Sequence, residues 1–317
     1  MKIHDDWQSF GQVTAPLYLA VGVFDGVHLG HQQVMHAAIA DARSHDGAAW
    51  VLTFDRHPLT LLRPDVAPPI LMSVVHKMRV IERTGLDGCL VTPFTRDFAA
   101  QEPHTFIENL CAAAPSLRAV YVGVNWRFGK DRAGTIDRLR ELASSGGFEA
   151  TVVDPVYWHG DLISSTRIRD AVRHGHLDDV RAMLNRPFTI LGRVVAGNSK
   201  GRELGFPTAN IEHGCEILPP SGVYAARVAL GGSVYSGVLN LGSRPTLKAQ
   251  RTSTPMLEVH LLDFTGDLYD RELEILFVQK IREERQFSDA QELQQQIAAD
   301  AGEAAQILNA RTDANFF

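Results

Sequence analysis

Two histidines three residues apart, His28 and His31, stand in the segment GVFDGVHLGH over residues 22–31. Where that segment opens a helix, the spacing puts both imidazoles on one face of the first turn. Two imidazole N–H donors aimed at one point suit a phosphate whose negative charge grows under attack. One preorganised donor at such a centre is worth roughly 3–4 kcal/mol. Gly22, Gly26 and Gly30 let the backbone turn tightly and approach a ligand closely, and a helix start offers unpaired N–H groups to an anion. A histidine pair also fits half of a metal site, but zinc needs further ligands, and none lies nearby at a recognised spacing. A second stretch, ISSTRIR over residues 163–169, reads as another helix start with Ser165 or Thr166 as its cap. Arg169 lies one turn in from Thr166, so hydroxyl and guanidinium can converge on phosphate oxygens. Taken alone, that stretch is equally an ordinary capped helix with solvated arginines.

In the second half, GNSKGRELGFPTAN over residues 197–210 carries a different chemistry. Gly197, Gly201 and Gly205 give a pliable loop whose N–H groups can wrap a phosphate, and Pro207 stiffens the residues after it. Thr208 and Asn210 are two apart, on one face if the segment is extended. Their hydroxyl and amide carbonyl are hard oxygen donors, appropriate to magnesium. Composition alone reads the same stretch as a glycine-rich surface loop.

The elements that must position these groups differ between the halves. Residues 17–24, 48–54, 88–91, 119–123 and 150–153 are short apolar runs of buried-strand type. Helical patterns alternate with them: 73–84, with Ser73 as N-cap and Gly85 as stop, then 102–113 and 135–145. Strand, helix and strand in turn predict an α/β fold, a parallel sheet whose ligands bind beyond the carboxyl ends of its strands. From Thr189 onward the apolar runs lack intervening helices: 189–196, 223–230, 233–241, 256–262 and 272–278, with a Gly231-Gly232 hairpin signal. They predict a small antiparallel β-barrel. A C-terminal helix follows, with Leu293, Ile297, Ala301, Ala304 and Leu308 at helical spacing and a capping box from Ser288 and Gln291. The boundary falls near Arg186, giving domains 1–186 and 187–317.

At 317 residues and a formal charge of −6, the chain has room for two cores and lacks the basic surface of a nucleic-acid-coating protein. Three widely spaced cysteines form no disulfide framework or metal-ligand pattern, which fits a reducing, cytoplasmic compartment. The first residues match neither a signal nor a transit peptide, and no apolar run reaches the length of a membrane span. No nucleic-acid, membrane or obligatory protein partner is expected.

The H-x-G-H pattern followed by ISSTxIR resembles the nucleotidyltransferase superfamily. VGVFDGVHLGH is similar specifically to the FMN adenylyltransferase module of prokaryotic bifunctional FAD synthetases, as are LTFDRHP over 52–58, Pro93-Phe94 and VGVNWRFGK over 122–130. GRxLGFPTAN, LPPSGVY over 218–224, GVLNLGSRPT over 237–246 and LEVHLLDF over 257–264 resemble the riboflavin kinase family. The resemblance runs over about residues 15–308 in the family's order. It implies a Rossmann-like nucleotidyltransferase sheet followed by a kinase barrel, riboflavin, FMN, FAD and ATP as ligands, and Mg2+ in each step. By the same resemblance His28 and His31 stabilise the α-phosphate transition state. Gly22, Phe24, Gly30, Ser165, Thr166, Arg169, Gly201 and Gly205 bind ATP, while Phe54, Pro58, Asn125 and Phe128 line the flavin pocket. Thr208 and Asn210 hold the metal, and Glu258 is the general base that makes a ribityl alcohol a competent nucleophile.

The chain departs from the family pattern twice. Val124 and Trp126 stand where a carboxylate and a phenylalanine are usual, and LKAQRTSTP over 247–255 replaces the usual Phe-Gly continuation. Three rivals stay open at this stage: loss of one activity, a flavin-binding carrier without chemistry, and a different phosphate-bearing acceptor.

Overall fold

The computed structural model describes residues 1–197, 201, 204–242 and 256–311. The loop residues 198–200 and 202–203, the last four residues of the GVLNLGSRPT stretch (243–246), the divergent 247–255 segment and the tail 312–317 lie outside them. Two compact units form, one from Met1–Ile70 and Val74–Arg167, the other from Leu71–Ser73 and Ile168–Phe317.

The first unit is a six-stranded parallel sheet: β1 (Lys2–His4), β2 (Leu17–Val21), β3 (Ala48–Phe54), β4 (Gly88–Thr92), β5 (Leu117–Gly123) and β6 (Glu149–Val153). Strand order is β1-β4-β3-β2-β5-β6. The intervening helices are α1 (Leu29–Ser44), α2 (Pro58–Leu62), α3 (Val74–Glu82), α4 (Arg96–Ala99), α5 (Pro103–Ala113) and α6 (Ile136–Gly146). Every residue of β2 is buried, because both faces of the sheet are covered. Leu17, Leu19 and Val21 join Trp50, Leu52, Phe106, Leu110 and Leu139 in one apolar core. On the opposite face the Tyr121 hydroxyl donates to Asp41 of α1, and the Cys89 thiol of β4 meets Met78 Sδ of α3. The chain runs from β2 outward through β3 and β4, then returns to place β5 on β2's other side. This makes β2/β5 the switch point where such sheets open a crevice.

A short hairpin, β7 (Tyr157–Trp158) with β8 (Asp161–Leu162), leads to α7 (Ser165–Arg173), within which the division between units falls, and to α8 (Leu177–Leu184). The second unit then closes a six-stranded antiparallel barrel from β9 (Thr189–Val195), β10 (Ala209–His213), β11 (Gly222–Leu230), β12 (Ser233–Gly242), β13 (Met256–Leu261) and β14 (Glu272–Arg282). The order around the barrel is β10-β13-β12-β11-β14-β9. Gly231 and Gly232, at φ +57° and +88°, make the β11–β12 turn with both central residues left-handed. Strand β11 is buried almost throughout, because one face lines the barrel and the other is covered by α9 (Ala290–Ala310). Val223, Ala225 and Val238 pack there against Ala304 and Leu308. Arg282 fixes the helix with a bidentate pair to the buried Asp300 at 2.7–3.1 Å.

Two expected caps are corrected. Helix α9 is capped by Asp289, which accepts from Glu292 N–H at 2.8 Å while the Glu292 carboxylate takes the Ser288 N–H, so the box is Asp289/Glu292 and not Ser288/Gln291. At α7 it is the Ser164 hydroxyl that accepts the Arg167 N–H, at 3.3 Å, in place of Ser165 or Thr166.

Candidate active sites

Beyond β2 the backbone makes a strained turn. Phe24 and Val27 take φ +53° and +41°, and Gly26 +84°. A β-branched residue in this region is an outlier that persists only where its surroundings impose it. Here the Val27 N–H reaches the Phe24 carbonyl at 3.2 Å, and Gln32 of α1 donates to the Val27 carbonyl at 2.8 Å. The turn delivers His28, buried, to the N-cap of α1, where its Nδ1 accepts the His31 N–H over a long 3.4 Å. Nδ1 as acceptor puts the proton of a neutral ring on Nε2, the donor that a phosphate requires. The two imidazoles stack with centroids 3.5 Å apart and planes at 20°.

The neighbouring residues explain why this segment needs its glycines. A Cβ on Gly30 would stand 3.2 Å from His28 Cε1, and one on Gly22 2.8 Å from the Phe24 ring. That ring in turn meets His31 edge-on at 5.3 Å. Phe24 therefore acts as a buried support beneath the histidine pair. Ser165 donates to the Asp25 carbonyl at 2.8 Å, across 140 residues of sequence, and so ties the start of α7 to the His28 turn. Beside Ser165, Thr166 is exposed, and Arg169 is buried one turn further along α7.

Phe54 at the end of β3 and Phe128 after β5 belong to one cluster of rings. Phe54 meets Phe98 at 5.7 Å, Phe98 meets Phe106 at 6.0 Å, and Phe106 meets Phe128 at 5.7 Å. Trp126 stacks on Phe128 with centroids 4.5 Å apart and planes at 16°, so the bulkier residue at this departure extends the aromatic wall. Pro58 opens α2 and Asn125 stands exposed in the turn after β5; among the described residues neither hydrogen-bonds to that cluster. At the mouth of β3 burial would raise the Asp55 pKa. Hydrogen bonds from Arg56 and the Phe94 N–H outweigh this and hold it below the usual carboxylate value.

On the barrel, register brings the second constellation together. Asn210 of β10 stands opposite Glu258 of β13, and Glu258 stands opposite Asn240 of β12. The three half-buried residues therefore form a row on one face, while Ala209, Ile211, Leu257 and Val259 turn to the other. Thr208 immediately precedes β10 and is exposed. Gly197 lies so close under the Asn210 amide that any Cβ would overlap it, and a Cβ on Gly201 would stand 3.0 Å from Thr208 Oγ1. Gly197 is thus shaped to the Asn210 side chain, nearest at its amide nitrogen, while Gly201 is required first by the Phe206 carbonyl and only then by Thr208. Gly205, at φ +87°, turns the chain between Gly201 and Thr208. Sequence reasoning missed Asn240, Gln32 and Ser164; only the GVLNLGSRPT stretch pointed toward the first.

The chain matches the family model for FAD synthetase over residues 11–167 and that for riboflavin kinase over residues 184–308. The bifunctional riboflavin kinase/FMN adenylyltransferase of Escherichia coli strain K12 is 38% identical over 283 residues, covering 89% of this chain and 90% of that protein. This chain belongs to that bifunctional family. The family member from Bacillus subtilis strain 168 is 35% identical over 294 residues, 92% of either chain. A crystal structure described as a macrolide-efflux protein from Streptococcus pneumoniae superposes with TM-score 0.79 at 25% identity, covering 96% of this chain and 99% of that one. No described helix here is long and apolar enough to cross a membrane. As a bifunctional riboflavin kinase/FMN adenylyltransferase, the chain phosphorylates riboflavin with ATP to give FMN and transfers an adenylyl group from ATP to FMN to give FAD and pyrophosphate. Both domain matches and family-wide coverage argue against the single-activity and carrier readings and against another acceptor.

Proposed function

We propose that each half carries one chemical step, with residues 1–186 as the adenylyltransferase domain and 187–317 as the kinase domain. In the first, an FMN phosphate oxygen attacks the α-phosphate of ATP and pyrophosphate leaves. His28 Nε2–H and the His31 ring stabilise the charge that builds on the α-phosphate. Gly22 and Gly30 keep the turn open to ATP, with Phe24 beneath it. Ser165, Thr166 and Arg169 on α7 hold the β- and γ-phosphates. Phe54, Pro58, Asn125 and Phe128 receive the flavin, the rings against its planar face and the amide orienting it. The observation that carries this reading is the Ser165–Asp25 hydrogen bond, which joins the two phosphate-binding segments.

In the second domain Glu258 accepts the proton of the riboflavin primary alcohol, whose oxygen then takes the γ-phosphoryl group as ADP leaves. Thr208 and Asn210 fit magnesium by chemistry: both are hard oxygen donors, and glycine at 197 and 201 sets no side chain of its own against them. Once bound there, the ion would neutralise phosphate charge. Gly201 and Gly205 keep the loop close to ATP. Magnesium likewise accompanies ATP in the first step. The enzyme works in the cytoplasm, on small-molecule ligands, without nucleic-acid, membrane or obligatory protein partners; its three free cysteines are in keeping with that compartment.

His28→Ala is expected to abolish FAD formation from FMN while leaving FMN formation from riboflavin intact, and Glu258→Ala to do the reverse, by product chromatography. One substitution removing both activities from folded protein would overturn the division of labour.

A further inference from the structure

The ladder between β2 and β3 stops short of the functional residues. Its last register pair is Val21 with Leu52, followed by one bond from the Gly22 N–H to the Leu52 carbonyl at 3.1 Å. Beyond that point the strands part, one leading to His28 and the other to Phe54 and Pro58. A side chain from α3 crosses the gap. Lys77, only 6% exposed, directs its ammonium to the Val23 carbonyl at 3.1 Å, the Thr53 hydroxyl at 3.0 Å and the Phe54 carbonyl at 2.9 Å. The Thr53 hydroxyl itself donates to the Val23 carbonyl at 3.0 Å, which closes the cluster. All three ammonium donors are therefore committed to the two strand ends that hold the phosphate-binding turn and the flavin-lining segment.

Resting on the adenylyl-site assignment above, we propose that Lys77 is a positioning residue of adenylyl transfer, setting the separation between the His28 turn and the Phe54 segment. A buried ammonium without an ion-paired contact is costly, and here the nearby Asp25 and Asp55 offset part of that cost. Burial is the larger influence and lowers the Lys77 pKa from 10.5 to about 8. The groups facing it are Asp25, Asp55 and Cys89. Asp55 is held ionised by Arg56 and the Phe94 N–H, and burial keeps the Cys89 thiol protonated up to about 12, so neither changes charge near pH 8. Loss of one Lys77 proton leaves two donors for three acceptors and loosens the bridge.

The test compares full-length wild type, Lys77→Met and Lys77→Arg for FAD formation from FMN and ATP, with far-UV circular dichroism and thermal unfolding as the folding control and FMN formation from riboflavin as the reference activity of the other domain. Positioning errors of an ångström cost about 10²-fold. Lys77→Met should therefore lower kcat for FAD formation by roughly that factor, with little change in KM and with kinase turnover intact. Wild type should lose adenylyl transfer as pH rises through about 8, and Lys77→Arg, which does not titrate there, should keep it. A Lys77→Met rate within about threefold of wild type, a parallel loss of both activities, or an alkaline limb unchanged in Lys77→Arg overturns the proposal. Should Lys77→Met fail to fold, the arginine variant's pH profile decides alone. His28→Ala separates the two levels: if it leaves FAD formation intact the site assignment fails, whereas its loss beside an active Lys77→Met refutes the lysine's role only.

Discussion

Gly30→Ala should make the protein a poorer adenylyltransferase while leaving its kinase step intact. Gly30 is the second residue of α1 and has ordinary helical geometry, so alanine fits the backbone. Helix propensity alone favours the change by about 0.5–1 kcal/mol. The new methyl group, however, would stand 3.2 Å from His28 Cε1 and 3.3 Å from Nδ1, inside the usual ~3.5–4.0 Å carbon separation. The imidazole must withdraw by a few tenths of an ångström, which lengthens an N-cap bond that is already 3.4 Å and carries Nε2 with it. If a full ångström costs about 10²-fold, this shift costs roughly 3–5-fold in kcat. The assay is pyrophosphate release from FMN and ATP, run beside riboflavin phosphorylation and thermal unfolding. Gly123→Ala, where a Cβ meets nothing within 4 Å, is the matched control and should leave the rate alone. An unchanged rate in Gly30→Ala would refute the claim that this glycine exists to seat the His28 ring, and so would equal losses in both activities.

Other perturbations test the same geometry. Asp300→Ala leaves the Arg282 guanidinium without its bidentate partner under α9; a loss of about 3 kcal/mol is expected for breaking such a buried pair, measured by urea unfolding. Asn240→Leu removes the amide opposite Glu258 and should slow FMN formation about tenfold without touching FAD formation from FMN, read by the two product assays. The lowered Lys77 pKa has a definite sign in stability: below about pH 8 both folded and unfolded chains carry the proton, and between about 8 and 10.5 the unfolded chain holds it more tightly. Its contribution to stability therefore rises with pH by about 3 kcal/mol across that window, and denaturation midpoints followed through it should show the rise in wild type and lack it in Lys77→Met.

Much of this molecule is legible in its sequence because the signals are local. The apolar run 48–54 becomes β3 with the same bounds, and Gly231-Gly232 becomes the expected hairpin turn. Periodicity separates the α/β half from the barrel, and the histidine pair announces its own helix start. Strands without such signals escape a reading of this kind. Lys2–His4 is a short, largely exposed edge strand whose warrant is its pairing with β4, and the polar residues of Ala209–His213 mask its alternation. What the sequence could not decide are choices made by partners far along the chain. Among three successive hydroxyl residues, Ser164 caps α7 because the Asp25 carbonyl, 140 residues earlier, has claimed Ser165. Asn240 joins Glu258 and Asn210 only through the register of three strands. Lys77 reads as one more charge on an amphipathic helix until two parting strand ends are seen to converge on it. Residue types and spacings set which chemistry is possible, since turns and helix faces depend on near neighbours. Only the packed chain determines which donor meets which acceptor, since a buried polar group must find its partner wherever the fold supplies one.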